Sequence, residues 1–135
     1  MVTRARPNVV DSSAWLAYFA DEPSTADFAS AIEDVDMLVV PAVCLLEVFK
    51  VVARQRREGD ALRAVAVMQQ GKVVELDASL ALSAARMSLD YRLPLADSIV
   101  YAAARRVEGV VWTQDDDFKD LPDVRYLPKL REGQG

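Results

Sequence analysis

Asn8-Val9-Val10-Asp11-Ser12-Ser13-Ala14-Trp15-Leu16 begins as a short apolar run and changes within two residues to helical spacing. Asn8 to Asp11 reads as a short buried strand, and Ser12 and Ser13 offer N-cap hydroxyls to a helix carrying Trp15, Leu16, Tyr18 and Phe19. The same alternation recurs down the chain. Met37-Leu38-Val39-Val40 is a strand closed by Pro41, and a helical pattern with Leu45, Val48, Phe49 and Val52 in register runs from Ala42 to about Glu58, where Gly59 ends it. Lys72 to Leu76 is a third strand and Val110 to Thr113 a fourth, with Val124 to Leu127 as a short fifth.

Further helices are predicted from Ser24, with Asp27 at capping-box spacing, from Asp60 to about Gln70, and from Asp77 to about Asp90. A last one, opened by Pro94, runs to about Glu108 and is closed by Gly109. Short apolar strands alternating with helices imply right-handed β-α-β crossovers. The expected fold is a three-layer α/β/α sandwich on a mostly parallel sheet of four to five strands. It forms one domain over residues 1–135, with residues 1–7 as an N-terminal arm and 128–135 as a polar tail.

The composition excludes several kinds of chemistry. With no histidine there is no Ser-His-Asp or Cys-His nucleophile and no His-ligated zinc. Cys44 is the single cysteine, so no intramolecular disulfide or Cys-x-x-Cys pair forms. The longest apolar stretch, Met37 to Leu46, contains Pro41 and falls short of the roughly 20 residues of a membrane helix. Nor does Met1 to Pro7 lead into the long apolar centre of a secretory signal. A soluble cytoplasmic protein without membrane contact is expected.

Chemistry must then rest on carboxylates, hydroxyls and cationic side chains. In a parallel α/β sheet, ligands bind beyond the carboxyl ends of the strands. Asp11 ends the first strand and Asp115 follows the fourth, in Thr113-Gln114-Asp115-Asp116-Asp117-Phe118. Asp97 sits in the first turn of the helix opened by Pro94, and Glu47 interrupts the apolar series after the second strand. Each also has a plain structural reading. Asp11 suits a helix cap and Asp97 the helix dipole, Glu47 pairs by spacing with Lys50 and Arg54, and residues 115–117 suit a solvated turn. Together, the four carboxylates at one sheet edge make a costly cluster, because two like charges about 4 Å apart repel by roughly 4 kcal/mol at an effective dielectric of about 20. A divalent cation that prefers oxygen ligands, Mg²⁺ or Mn²⁺, relieves the repulsion.

At four segments (residues 9–16, 41–51, 93–104 and 111–118) the sequence resembles the PIN-domain nucleases, and among them the small VapC-like toxins of type II toxin-antitoxin pairs. The resemblance implies that Asp11, Glu47, Asp97 and Asp115 form an acidic metal site, with Asp117 as an auxiliary ligand and Ser13 and Thr113 orienting the carboxylates. Asp116 is an addition to the family's Thr-x-Asp-x-Asp-Phe pattern and leaves open which of the three adjacent aspartates is the main ligand. The implied activity is a Mg²⁺- or Mn²⁺-dependent endoribonuclease acting through metal-activated water and leaving 5′-phosphate and 3′-hydroxyl ends. The implied partners are RNA, a VapB-like antitoxin that reaches DNA on the toxin's behalf, and a second copy in a homodimer or toxin-antitoxin hetero-oligomer.

Arg54, Arg56 and Arg57, and separately Arg105 and Arg106, offer phosphate contacts on a chain of formal charge −5, or else serve only helix ends and solubility. Two alternatives stand beside the nuclease: a receiver-like Mg²⁺-binding phosphoacceptor, and a PIN-like module kept only for interaction.

Overall fold

The computed structural model describes residues 5–23 and 25–129. Among these, five strands are β1 (Asn8–Val10), β2 (Leu38–Pro41), β3 (Lys72–Val74), β4 (Val110–Thr113) and β5 (Val124–Tyr126). The helices are α1 (Ser12–Phe19), α2 (Ala26–Glu33), α3 (Ala42–Gln55), α4 (Glu58–Met68), α5 (Ala78–Tyr91) and α6 (Leu95–Arg106). Short 3-10 turns span Val35–Met37 and Asp116–Phe118.

All strand pairs are parallel and the order is β3-β2-β1-β4-β5. The chain steps outward from β1 to β2 to β3, then crosses back over both to β4. Right-handed crossovers therefore put α1 to α4 on one face and α5 and α6 on the other. Asn8 lies opposite both Leu38 and Val110, so β1 and β4 end side by side where the direction of winding reverses.

This order also decides against the receiver-like alternative, whose doubly wound sheet runs 2-1-3-4-5. Here β3 is an edge strand, and Asp77 beyond it caps α5 by accepting the Leu80 amide at 2.8 Å and is gripped through both oxygens by Arg106 at 3.1 Å.

Val9, Val10, Val40 and Val111 are wholly buried in the sheet, with Trp15 and Phe28 packed on one side and Val100 and Tyr101 on the other. Each such side chain contributes about 1.5–3 kcal/mol on leaving water. Helix α6 is buried from Ser98 through Ala104, and its alanine run, Ala102 to Ala104, allows close approach to the neighbouring elements beside the large buried Tyr101. Gly71 and Gly109 mark equally tight places. A Cβ on Gly71 would lie 2.9 Å from the Leu38 carbonyl oxygen, and one on Gly109 would lie 2.8 Å from that of Pro7.

Several boundaries differ from expectation for local reasons. Asp11, not Ser12 or Ser13, is the N-cap of α1; its carboxylate accepts the Ser13 amide, and both serines are helical. Helix α3 stops at Gln55, where Arg56 leaves helical backbone at φ −134°, ψ −136°. Gly59 thus lies inside α4, and Asp60 is not the N-cap but the third helical residue, whose carboxylate accepts the amide of the N-cap Arg57 at 3.3 Å. β3 ends at Val74 because its partner residue, Pro41, is the last of β2; Glu75 and Leu76 have no strand to pair with. Met37 belongs to a 3-10 turn, and α2 starts at Ala26. The expected start at Ser24, the arm before residue 5 and the tail beyond residue 129 lie outside the described residues.

Candidate metal centre

The carboxyl ends of β1 and β4 and the first turn of α6 meet at one edge. Asp11, only 2% exposed, follows β1. Its Oδ2 accepts hydrogen bonds from the hydroxyls of Ser13 at 2.8 Å and Thr113 at 2.9 Å. Each hydroxyl has one proton and commits it to Asp11, and each then accepts from backbone. Ser13 Oγ takes the Gln114 amide at 3.0 Å, and Thr113 Oγ1 takes the Asp115 amide at 2.9 Å. Two residues a hundred positions apart thus fix one carboxylate and the turn after β4 together. Burial pushes Asp11 up despite these hydrogen bonds, and the Asp115 charge adds to the rise.

Asp115 caps the 3-10 turn by accepting the Asp117 amide at 2.9 Å. That closure folds residues 115 and 117 to the same side. Oxygens of Asp97, Asp115 and Asp117 all lie within 4.8 Å of one another, while the exposed Asp116 stays outside the group. The turn separates the three adjacent aspartates in space: 115 and 117 converge on Asp97, 116 does not.

Asp97 is the third residue of α6, and Pro94 occupies the cap position without any side-chain capping bond, so the carboxylate faces the other acids. It is pushed up to about 8, first by burial, then by the charges of Asp11 and Asp115, a hydrogen bond shared with Asp115, and the charge of Asp117. In the absence of a counter-charge the cluster therefore favours the protonated form of Asp97 near neutral pH.

Glu47 is half-buried in the second turn of α3 and accepts the Ser12 hydroxyl at 2.7 Å. Among the described residues its partner is thus Ser12, and no ion pair joins it to Lys50 or Arg54. It stands outside the three-aspartate group but close enough, with Asp11, to raise the thiol of buried Cys44 further above its already burial-raised value. Ser12 was read in the sequence only as a cap; its role as the tether of Glu47 carried no sequence signal, since the two are 35 positions apart.

The donor set suits a hard divalent cation: oxygens only, two half-buried carboxylates and one exposed, spanning little more than the about 4 Å between opposite ligands of one Mg²⁺. The basic candidates separate. Arg105 hydrogen-bonds the Tyr91 hydroxyl at 3.0 Å and lies over the Tyr101 ring at 5.3 Å, and Arg106 holds Asp77, so these two serve the fold. Arg54, Arg56 and Arg57 make no bond to any acid of the cluster and sit where α3 gives way to α4. There Arg56 lines a cavity of about 410 Å³ with Leu16, Phe19, Val52 and Arg63.

Residues 9–124 match the family model of the PIN domain. The chain belongs to that family. No curated protein matches its sequence. The fold of this PIN domain is similar to a toxin-antitoxin complex from Klebsiella pneumoniae (TM-score 0.76, 17% identity, 92% of this chain and 99% of that one). It is also similar to DNA-bound VapBC from Salmonella typhimurium (TM-score 0.73, 13% identity, 92% and 98%). A third likeness is to VapC20 of Mycobacterium tuberculosis, described as a sarcin-ricin loop cleaving toxin (TM-score 0.74, 20% identity, 90% and 99%). Among the described residues no helix is long and apolar enough to cross a membrane.

Proposed function

We propose that this PIN domain is a Mg²⁺- or Mn²⁺-dependent endoribonuclease and the toxin of a VapBC-like pair. The observation that carries the reading is the convergence of Asp97, Asp115 and Asp117 beside Asp11, at the point where the sheet reverses its winding, in a chain without histidine. Asp97, Asp115 and Asp117 would hold the cation, with Asp11 and Glu47 flanking it. Lewis acidity and neutralisation of phosphate charge are what a bound divalent cation supplies.

The chain's own contribution is orientation. Ser13 and Thr113 hold Asp11 in one rotamer, the 115–117 turn presents two carboxylates together, and Ser12 keeps Glu47 directed to the same edge. Asp97, whose protonated form is favoured when the acids stand alone, would hold a bound cation as the carboxylate. The likeness to toxin-antitoxin complexes supports an antitoxin partner; as part of the same proposal, the antitoxin makes the DNA contacts, the chain self-associates as a homodimer or within a hetero-oligomer, and it acts in the cytoplasm.

The test is cleavage of total RNA by the purified chain with Mg²⁺, with Mn²⁺ and with EDTA, followed by mapping of the new ends. Metal-dependent products with 5′-phosphates, absent in Asp97→Asn, are expected; undiminished cleavage in EDTA rules the mechanism out. Growth arrest on expression, relieved by the neighbouring gene product, tests the toxin assignment.

A further inference from the structure

Arg92 ends α5 in the left-handed region, at φ 57° and ψ 39°. A helix end of this shape ordinarily carries glycine or asparagine, because a Cβ crowds the neighbouring carbonyl. Five non-glycine residues among those described have positive φ, and three of them are aspartates, whose short side chains tolerate it. Of the other two, Glu108 lies before β4, at the opposite end of the sheet from the acids, and its carbonyl accepts Arg6 Nε at 3.1 Å. Arg92 lies at the acidic end.

Its surroundings hold the backbone in place and leave the guanidinium exposed. Ser88 Oγ donates to the Leu93 carbonyl at 2.9 Å, Leu93 is buried, and Pro94 starts α6. On the same two helices Arg86 approaches Asp90, Arg105 bonds Tyr91, and Arg106 bonds Asp77. Arg92 alone of these four makes no hydrogen bond, ion pair or ring contact among the described residues. Because α5 and α6 form a hairpin, its Cα stands at most roughly 17 Å from that of Asp97, five residues on.

A strained, unpartnered cation on the short link that leads into the helix of Asp97 answers a specific need. A cation in the cluster offsets the scissile phosphate, but the neighbouring phosphates of the strand meet a chain of net charge −5. We propose that Arg92 binds a backbone phosphate next to the scissile one, and that an arginine occupies this left-handed position for the sake of that contact. This rests on the ribonuclease reading above. Arginine suits the role, since its planar fork meets phosphate oxygens in pairs.

The experiment separates substrate from fold by the sign of two effects. Arg92→Gly relieves the backbone and is expected to raise Tm by about 3 °C. In the non-cleaving Asp97→Asn background, with Mg²⁺ and a labelled mixed-sequence single-stranded oligoribonucleotide, the same change is expected to weaken binding about fivefold. It should also reduce the slope of log K against log salt by about 0.7, one phosphate contact. Arg92→Lys should keep most of the slope. A lower Tm in Arg92→Gly, or RNA binding with an unmoved slope, overturns the assignment of Arg92 alone. Absence of RNA binding together with absence of cleavage by the unsubstituted chain overturns the ribonuclease reading and this proposal with it.

Discussion

Thr113 Oγ1 donates to Asp11 Oδ2 across 2.9 Å, so the last residue of β4 fixes the carboxylate that follows β1. The bond is buried at both ends, with Thr113 fully enclosed and Asp11 2% exposed. Thr113→Val keeps the shape but withdraws the donor from Asp11 and the acceptor from the Asp115 amide. A buried hydrogen bond to a carboxylate is worth about 1.5–3 kcal/mol, and the expected loss of stability in urea is about 2 kcal/mol. Cleavage should fall as the 115–117 turn loosens, and Thr113→Ser should restore both.

Metal removal and pH act through one group. Asp97 stands at about 8 in the folded chain against about 3.9 for an unfolded aspartate. Between those values the folded state binds the extra proton, so without metal stability falls as pH rises from about 4 to 8. In EDTA the Tm should therefore be higher at pH 5.5 than at pH 8.5. Saturating Mg²⁺ should reverse the gradient, because cation and proton compete for the same oxygens. Asp77 works in the other direction and in another window. Its hydrogen bonds from Arg106 lower it, so its contribution is lost only as pH falls below the ordinary carboxylate range. A Tm in EDTA that rises steadily from pH 5.5 to 8.5 would contradict the placement of Asp97.

Charge removal within the cluster sorts the acids by geometry. Asp97→Asn should abolish cleavage and raise the Tm of the metal-free protein at pH 8, since it removes a repelled charge without changing shape. Asp115→Asn and Asp117→Asn should each cost about a hundredfold or more in kcat/KM, whereas Asp116→Asn, outside the group, should stay within about threefold of wild type. Equal losses at 116 and 117 would show that the turn presents its carboxylates differently in solution.

The sequence carried the strands, the α/β alternation and the acids because each has a local signature: an apolar run closed by Asp11 or Pro41, or a helix opened by Pro94. It misplaced the α3–α4 junction because Gly59 is a strong stop signal that here falls one residue into the next helix. It set Asp115 and Asp117 ahead of Asp116 only through the family resemblance, because the geometry depends on a turn whose cap, Asp115, is itself a candidate. The Ser12–Glu47 tether joins residues 35 positions apart, and no spacing along the chain encodes it; the orienting role of Thr113 was legible only through the family resemblance.

The two arginine clusters have the same composition and opposite expected behaviour. Arg105 and Arg106 already have partners in Tyr91, Tyr101 and Asp77, so Arg105→Ala and Arg106→Ala should lower stability slightly and leave the salt slope of RNA binding unchanged. Arg54, Arg56 and Arg57 make no side-chain hydrogen bond to an acid among the described residues, Arg56 only adding its charge beside Asp60, and they stand about 10 Å or more along the α3 axis from Glu47, where a strand leaving the acidic edge can meet them. Replacing all three with glutamine should leave Tm within about 2 °C of wild type. The salt slope should fall by about 0.7 for each arginine that touches phosphate, so the number of contacts can be read from the titration. A slope unchanged by the triple substitution would assign these residues to solubility. RNA contact would then be confined to the acidic edge and its hairpin link at Arg92.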